Sequence, residues 1–284
     1  MQKRNVLSSP RLLEFKRTRR RVFQNKILFY TLTLLIILAL LAYFLRTSIF
    51  NITSVEIVGN KIIDTEIIKT VAEKEIAGYY FWFFPKTNIF FYPKNNIKKE
   101  LANQFKRLKD ITLFVEKNKV LKISLNERIG LYTWCGISPG TELIGENSKE
   151  QCYFIDKDGY VFDEAPYFSG EVYFKFYGPI LESYFSPDIF SKLISFKDTL
   201  FSMGLEPVIL YMQENKNIKI FLSDRTSSSK PEIILKSDSD FEKIADNLEA
   251  ALTTEPLQKN LKSKYSSLKY IDLRFGNKVY YKFD

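Results

Sequence analysis

Histidine is absent from the 284 residues, and cysteine occurs only twice, as Cys135 and Cys152. Ser–His and Cys–His nucleophile pairs and the common zinc sites all need histidine, so its absence excludes these centres. The chain also lacks the phosphate-binding patterns G-x-x-x-x-G-K and G-x-G-x-x-G, and it has no Cys-x-x-Cys pair. We therefore predict a protein that is not an enzyme, with no catalytic residues, metal, cofactor or small-molecule substrate.

Two charged groupings come closest to a catalytic pattern, namely Asp156 with Asp158 and Glu127 beside Arg128. Neighbouring residues on a strand point to opposite faces, so Glu127 and Arg128 cannot share one site. Asp158 falls in a predicted turn, where aspartate commonly bonds to nearby backbone groups. We predict structural roles for both groupings.

One stretch of nineteen residues contains no charge, proline or glycine; it begins at Ile27 and ends at Leu45. As a helix it would be about 28 Å long, close to the thickness of a bilayer's hydrocarbon core. It lacks the polar stripe of a soluble core helix. A cleaved signal peptide is the alternative, but the run is too long and no small-residue cleavage site follows it. The sequence therefore predicts one transmembrane helix.

Basic residues are concentrated before this helix. Residues 1–26 contain nine Lys or Arg and one acidic residue, Glu14. The positive-inside bias places this tail in the cytoplasm and the bulk of the chain outside the plasma membrane. Of 42 basic and 33 acidic residues in total, 33 and 32 remain after residue 26, so the formal charge of +9 resides almost entirely in the tail. We predict no nucleic-acid partner and a tail that can contact the lipid bilayer.

Residues 50–127 show the pattern of a small α+β domain. Val55 and Ile57 alternate with polar residues as in a half-buried strand, and Asp64 is a suitable N-cap for a following helix. A second helix is predicted over residues 94–108, and two strands over 111–116 and 120–127. The predicted order is β-α-α-β-β.

An aromatic run interrupts this domain, with nine aromatic residues among the fourteen from Tyr79 to Tyr92. One hypothesis is that the rings fill the space between two short helices and a sheet. The other is an exposed contact for lipid headgroups or another membrane protein, because Trp and Tyr favour the membrane interface. The sequence favours neither.

Residues 128–284 are predicted to form a mixed α/β domain with a largely antiparallel sheet. Ser186 with Pro187 should open one helix, and Ser239 with Glu242 has capping-box spacing for another. The predicted strands are residues 130–134, 152–156, 160–162, 171–177, 208–212, 218–222, 232–236, 268–275 and 278–282.

The two cysteines fall at facing ends of neighbouring predicted strands. Cys135 ends one strand and Cys152 begins the next, so an antiparallel pairing would set them opposite each other. Disulfides persist outside the cytoplasm. We predict a Cys135–Cys152 disulfide, with two buried free thiols as the alternative.

A β-α-α-β-β unit directly after a membrane anchor resembles a POTRA domain. Four motifs also stand in the order found in the FtsQ/DivIB cell-division proteins: VEIVGN at 55–60, LKISLNER at 121–128, CYFIDKDGYVF at 152–162 and LKYIDLRFGNKVYYK at 268–282. The resemblance covers essentially the whole chain. It implies a bitopic, non-enzymatic divisome scaffold at the division septum that helps control septal cell-wall synthesis, with residues 128–284 as the FtsQ-type β domain.

The resemblance also implies a partner-binding edge. In FtsQ/DivIB proteins the C-terminal strands receive the FtsB/FtsL partners, which places binding here on Phe275, Lys278, Val279, Tyr280, Tyr281 and Lys282. Phe275 and Tyr280 would be aromatic anchors, while Lys278 and Lys282 would meet acidic partner residues. Alternation along the strand further predicts that Ile271, Leu273 and Phe275 share one face.

Other functional classes remain open. A membrane-anchored cell-wall enzyme would need a clustered catalytic set, which the sequence lacks. A POTRA adaptor of a secretion or surface-assembly system would have the same architecture. Depletion would separate the last class from a division protein, because only loss of a division protein should cause filamentation.

Overall fold

A computed structural model describes residues 10–117, 119–139, 150–223 and 230–284, with the side chains of the first helix described from residue 18 onward. The chain divides into two compact units, Met1–Glu127 and Arg128–Asp284.

The first unit begins with a 36-residue helix, α1 (Pro10–Leu45). Within the described ranges, its part Thr18–Leu45 is the one helix long and apolar enough to span a membrane. The helix ends where the sequence predicts, at Leu45, but it begins earlier. The basic residues before Ile27 continue the helix, because Lys, Arg and Gln are good helix formers and no glycine separates them from the apolar segment.

The remaining elements of the first unit form a small helix-and-sheet layer. They are β1 (Ser54–Val58), α2 (Thr65–Ile76), β2 (Tyr79–Tyr80), β3 (Phe84–Pro85), α3 (Lys94–Gln104), β4 (Leu108–Glu116) and β5 (Val120–Glu127). β5 lies between β1, to which it is parallel, and β4, to which it is antiparallel. The predicted β-α-α-β-β order is observed with one addition, the short hairpin β2–β3 inside the aromatic run.

Local sequence explains the bounds of α2. The Asp64 side chain accepts a hydrogen bond of 2.7 Å from the backbone N–H of Glu66, as expected for an N-cap. Buried Ile68, Ala72 and Ile76 face the sheet.

Helix α3 is shorter than predicted. It stops at Gln104, and the residues expected to extend it to position 108 instead lead into β4. Leu108 and Ile111 are buried in the sheet core. Burying these side chains in strand β4 stabilises the fold more than one further turn of α3 would.

The second unit contains most of the strands. Its elements are β6 (Tyr132–Trp134), β7 (Cys152–Ile155), β8 (Val161–Ala165), β9 (Lys175–Tyr177), β10 (Ile180–Leu181), β11 (Tyr184–Phe185), α4 (Phe190–Ser202), β12 (Pro207–Met212), β13 (Asn217–Leu222), β14 (Glu232–Lys236), α5 (Phe241–Leu252), α6 (Leu257–Lys264), β15 (Leu268–Phe275) and β16 (Lys278–Phe283).

Among the described residues, nine of these strands form one sheet in the order β16-β15-β14-β13-β12-β9-β6-β7-β8. The sheet is mixed. Five of its eight neighbouring pairs are antiparallel, but β9 pairs in parallel with both β6 and β12, and β14 pairs in parallel with β15. The core lies between this sheet and helices α4 and α5, with Leu193 and Leu248 facing Phe176, Leu210 and Ile233.

Several predicted boundaries in this unit are wrong. The strand predicted over 171–177 is reduced to β9 (Lys175–Tyr177). Helix α4 begins at Phe190, because Ser186 has a φ of 43° and its hydroxyl donates to Met212 Sδ instead of capping the helix. The α5 cap is Asp240, not Ser239, and its carboxylate accepts from the Lys243 backbone N–H at 3.3 Å.

A disulfide joins Cys135 to Cys152, with Cα atoms 4.2 Å apart. It links the residue after β6 to the first residue of β7, two strands that pair antiparallel with Trp134 opposite Tyr153. This pairing brings the two cysteines together in the way the strand ends suggest.

Candidate protein-binding edge

Strand β16 forms one end of the nine-stranded sheet. It follows β15 through Gly276 and Asn277, and Gly276 has a φ of 66°, as required at the first central position of a type II′ hairpin turn. In the described part of the chain no strand pairs with the outer side of β16. Because backbone N–H and C=O groups point alternately to the two sides of an antiparallel strand, half of those in β16 face this open side.

The two faces of β16 differ in character. Val279, Tyr281 and Phe283 pack against the core of the second unit. Lys278 and Tyr280 lie on the opposite face and are exposed, as is Lys282. The alternation therefore leaves one aromatic ring between two ammonium groups on the outer face.

Phe275 does not lie where regular alternation predicts. Ile271 and Leu273 are buried, but Phe275 is 56% exposed. The register of β15 with β16 shifts between Asp272, opposite Tyr280, and Phe275, opposite Lys278. Three residue steps on β15 thus face two on β16, which is a β-bulge and re-aims the side chains beyond it. The predicted grouping of Phe275 with Ile271 and Leu273 is wrong.

The bulge instead brings Phe275 against Tyr280. Their ring centroids are 5.2 Å apart and the planes meet at 82°, an edge-to-face contact. Tyr280 is 48% exposed, so both rings present apolar surface to solvent next to the open strand. The two residues predicted as aromatic anchors therefore form one pair.

An Asp–Arg pair shapes the bulge. The buried Asp272 carboxylate accepts hydrogen bonds from the Arg274 backbone N–H at 3.1 Å and from its guanidinium, Nε at 2.9 Å and Nη2 at 2.6 Å. Burial acts to raise the pKa of Asp272, but the hydrogen bonds and charge of Arg274 outweigh it, so the pKa of Asp272 lies below its ordinary value. Hydrogen bonding to Asp272 likewise raises the pKa of Arg274.

The same guanidinium lies 5.8 Å from the centroid of the Phe275 ring, within the range of a cation–π contact. Sequence reasoning missed this role of Asp272 and Arg274. An acid and an arginine two residues apart on one strand face was the available signal.

Charge separates this edge from the other end of the sheet. β16 carries Lys278 and Lys282, whereas β8, the opposite edge strand, carries Asp163 and Glu164. Unpaired backbone groups, an exposed aromatic pair and flanking cations suit β16 to an extended segment with acidic and apolar side chains.

The other sequence candidates lie away from β16. Cys135 follows β6, and five strands lie between β6 and β16 in the sheet. Asp156 is buried and accepts from the backbone N–H groups of Asp158 and Tyr160, while its second oxygen accepts from Arg128 Nη1 at 2.5 Å. Asp156 therefore fixes the turn between β7 and β8.

Glu127 has a different set of partners. Its carboxylate accepts from the backbone N–H groups of Lys61, Ile62 and Ile63 at 2.9 to 3.1 Å, which ties the end of β5 to the loop before α2. Burial acts to raise the pKa of Glu127, but these three hydrogen bonds and the Arg107 charge lower it overall. Glu127 and Arg128 thus bond to separate groups, and both have structural roles, as the sequence predicts.

In comparisons with known proteins, the chain matches no family model and no curated protein sequence. Function is therefore inferred from the motifs and geometry of this chain alone.

Proposed function

We propose that the protein is a non-enzymatic divisome scaffold of the FtsQ/DivIB type, anchored by α1 in the plasma membrane and located at the division septum. The observation that carries the proposal is an exposed aromatic pair, Phe275 of β15 and Tyr280 of β16, at a sheet edge where no described strand pairs with the outer side of β16. This is the position at which the resemblance places FtsB/FtsL binding.

Strand addition is the proposed binding mode. A segment of an FtsB-like partner pairs with the outer side of β16, and main-chain hydrogen bonds supply much of the affinity. Phe275 and Tyr280 supply the apolar contact, and Lys278 and Lys282 select acidic partner residues. Arg274 is held beside Phe275 by Asp272, so it adds a fixed positive charge near the turn.

The anchor and the first unit complete the proposal. In this proposal the nine basic residues before Ile27 keep the N-terminus in the cytoplasm, and residues 46–284 lie outside. The order of α2, α3, β4 and β5 after β1 supports a POTRA domain as the membrane-proximal unit, which offers a second surface for further divisome proteins. The proposal includes no nucleic-acid partner and no small-molecule substrate.

A POTRA adaptor of a secretion or surface-assembly system is the alternative, since it shares the anchor and the first unit. Depletion of the protein in its own organism distinguishes the two. The divisome proposal expects long, unseptated filaments with export intact, and FtsB/FtsL-like proteins in the material co-purified from crosslinked membranes. Normal division with lost export, and export components in that material, would favour the alternative.

A further inference from the structure

Only some of the aromatic side chains between Tyr79 and Tyr92 are partly buried in the first unit. Six of its nine aromatic residues are exposed, namely Tyr79, Phe81, Trp82, Phe83, Phe90 and Phe91. Phe81 is 85% and Trp82 88% exposed, values far above those of ordinary packed rings. Filling a gap between helices therefore does not account for these side chains, and contiguous exposed apolar surface of this kind marks an interaction site.

The most exposed rings lie at the tip of the β2–β3 hairpin. Tyr80 pairs with Phe84, and Phe81, Trp82 and Phe83 form the connection between them. Phe81 and Trp82 have φ angles of 47° and 68°, a conformation that bulky residues rarely adopt and that costs free energy. Two of the three exposed rings at the tip therefore lie at positions where glycine or asparagine would be less strained.

Hydrogen bonds fix this segment to the end of α1. The buried Asn88 side chain donates to the Leu45 carbonyl oxygen at 3.1 Å, capping the helix. Main-chain bonds from Ile89 to Phe50 at 2.9 Å and from Ile52 to Thr87 at 2.8 Å extend the attachment. The aromatic run is thus fastened to the point where the apolar helix ends.

A chain of ring contacts makes the apolar surface of α1 continuous with that segment. The centroids of Phe44 and Phe50 are 5.2 Å apart, and those of Phe50 and Phe90 are 5.8 Å apart. Two cations accompany the hairpin, with Arg46 5.4 Å from the Tyr79 ring centroid and Lys86 5.8 Å from that of Tyr80. Aromatic rings beside basic groups are the composition that favours the headgroup layer of a membrane.

We propose that Phe81, Trp82 and Phe83 insert into the headgroup–acyl boundary of the outer leaflet and form a second membrane contact beside α1. Arg46 and Lys86 then lie at the level of the lipid phosphates. The contact fixes the orientation of the folded part of the first unit relative to the bilayer. A single transmembrane helix alone would leave that part free to rotate. This inference rests on the membrane-anchor part of the proposed function.

The test uses the full chain in proteoliposomes of phosphatidylethanolamine and phosphatidylglycerol. Trp82 and Trp134 are the two tryptophans of the chain, so W134F leaves Trp82 as the sole fluorophore. Lipids brominated near the headgroup should quench Trp82 several-fold more than they quench a matched control, the triple variant W82F/W134F/F114W. Phe114 is an exposed residue on β4 of the same unit and lies outside the aromatic run.

The outcomes separate the inference from its premise. If the chain does not float with the vesicles, the membrane anchor itself is overturned. A chain that floats but whose Trp82 is quenched by aqueous acrylamide and not by brominated lipid would overturn the lipid contact alone. Shielding of Trp82 from both quenchers would also overturn it, since protein and not lipid would then cover the tip. Circular dichroism of each variant checks that the fold is retained.

Discussion

At the residue scale, Asp272 determines much of the proposed binding surface without lying on it. Its buried carboxylate holds the guanidinium and the backbone of Arg274, and the bulge that follows turns Phe275 toward Tyr280. One paired carboxylate thus converts a regular strand end into an exposed aromatic pair.

Truncation of Tyr280 should weaken partner capture. Y280A removes half of the aromatic pair, and we expect a loss of about 2 kcal/mol, or roughly thirtyfold in Kd, as for a central hot spot. The measurement is titration with the extracytoplasmic segment of the organism's FtsB-type protein. F201A, at an exposed phenylalanine on α4, is the matched control and should bind like wild type. Equal affinity of Y280A and F201A would place the binding site elsewhere.

Glu127 should stabilise the first unit in a pH-dependent way. Because folding lowers the pKa of Glu127, its contribution is present above the ordinary glutamate pKa of 4.5 and is lost as pH falls through the folded value. We expect E127Q to lower the free energy of unfolding of the first unit by about 1 to 2 kcal/mol at pH 7, since three backbone donors lose a charged acceptor.

Pulse proteolysis of the full chain in urea, with fragments assigned to the first unit by mass, measures this difference. It should narrow as the pH is lowered below 4.5. E116Q is the control, because Glu116 makes a 3.6 Å surface ion pair with Lys122 that is worth less than about 1 kcal/mol. A difference between E127Q and wild type that persists unchanged at low pH would contradict the assignment.

At the scale of elements, one face of β16 packs against the core and the other is the proposed partner-binding face. Substitutions can test the two faces separately. Deleting residues 278–284 should abolish capture, but it would also remove Val279, Tyr281 and Phe283 from the core. The loss of capture would then have two explanations.

Substitution of one face avoids this ambiguity. The variant K278Q/Y280S/K282Q keeps the core side, so we expect lost capture with an unfolding free energy within about 1 kcal/mol of wild type. The opposite variant, V279A/Y281A/F283A, should lose more than about 2 kcal/mol of stability through its packing defects. Urea unfolding and partner titration of both variants provide the comparison. Full partner capture by K278Q/Y280S/K282Q would exclude the outer face of β16 as the binding site.

The disulfide should stabilise the second unit. It closes a loop with a sequence separation of 17, for which the chain-entropy account gives about 3 kcal/mol. We expect C135A/C152A to lower the free energy of unfolding by that amount. In a W82F background the fluorescence of Trp134, which precedes Cys135, reports unfolding of this unit in urea. Reduced wild type should match the variant, and equal stability of oxidised and reduced protein would contradict the prediction.

Local sequence patterns are sufficient to predict the bounds of some elements but not of others. The observed bounds of β5, β14 and β15 coincide with those predicted, because each shows clear alternation between turn signals. The bulge at Phe275 was missed since it depends on a side-chain pair, not on hydropathy. The strand predicted from residue 171 is too long, because strand pairing begins only at Lys175.

At the scale of the molecule, strand order is what the sequence could not supply. β9 pairs in parallel with β6 and β12, and such pairings join residues far apart in sequence whose contacts leave no local signal. The position of β16 at the sheet edge was inferred from family resemblance, and its neighbours become visible only in the structure.

Membrane topology is a further prediction at this scale. From the charge asymmetry around the apolar segment 27–45, we expect residues 1–26 in the cytoplasm and residues 46–284 outside. Protease added to intact spheroplasts should leave only a stub and the helix, whereas a cytoplasmic protein of the same cells stays whole. Protection of the large fragment would contradict both the topology and the proposed septal location.

The central claim is that the outer face of β16 holds a division partner in the cell. The most direct test is site-specific photo-crosslinking in living cells, with benzoylphenylalanine incorporated at position 280 and, as a control, at position 201. We predict an FtsB- or FtsL-like adduct at position 280 that is absent at position 201. No adduct at position 280, or an adduct with a secretion component there, would contradict the account.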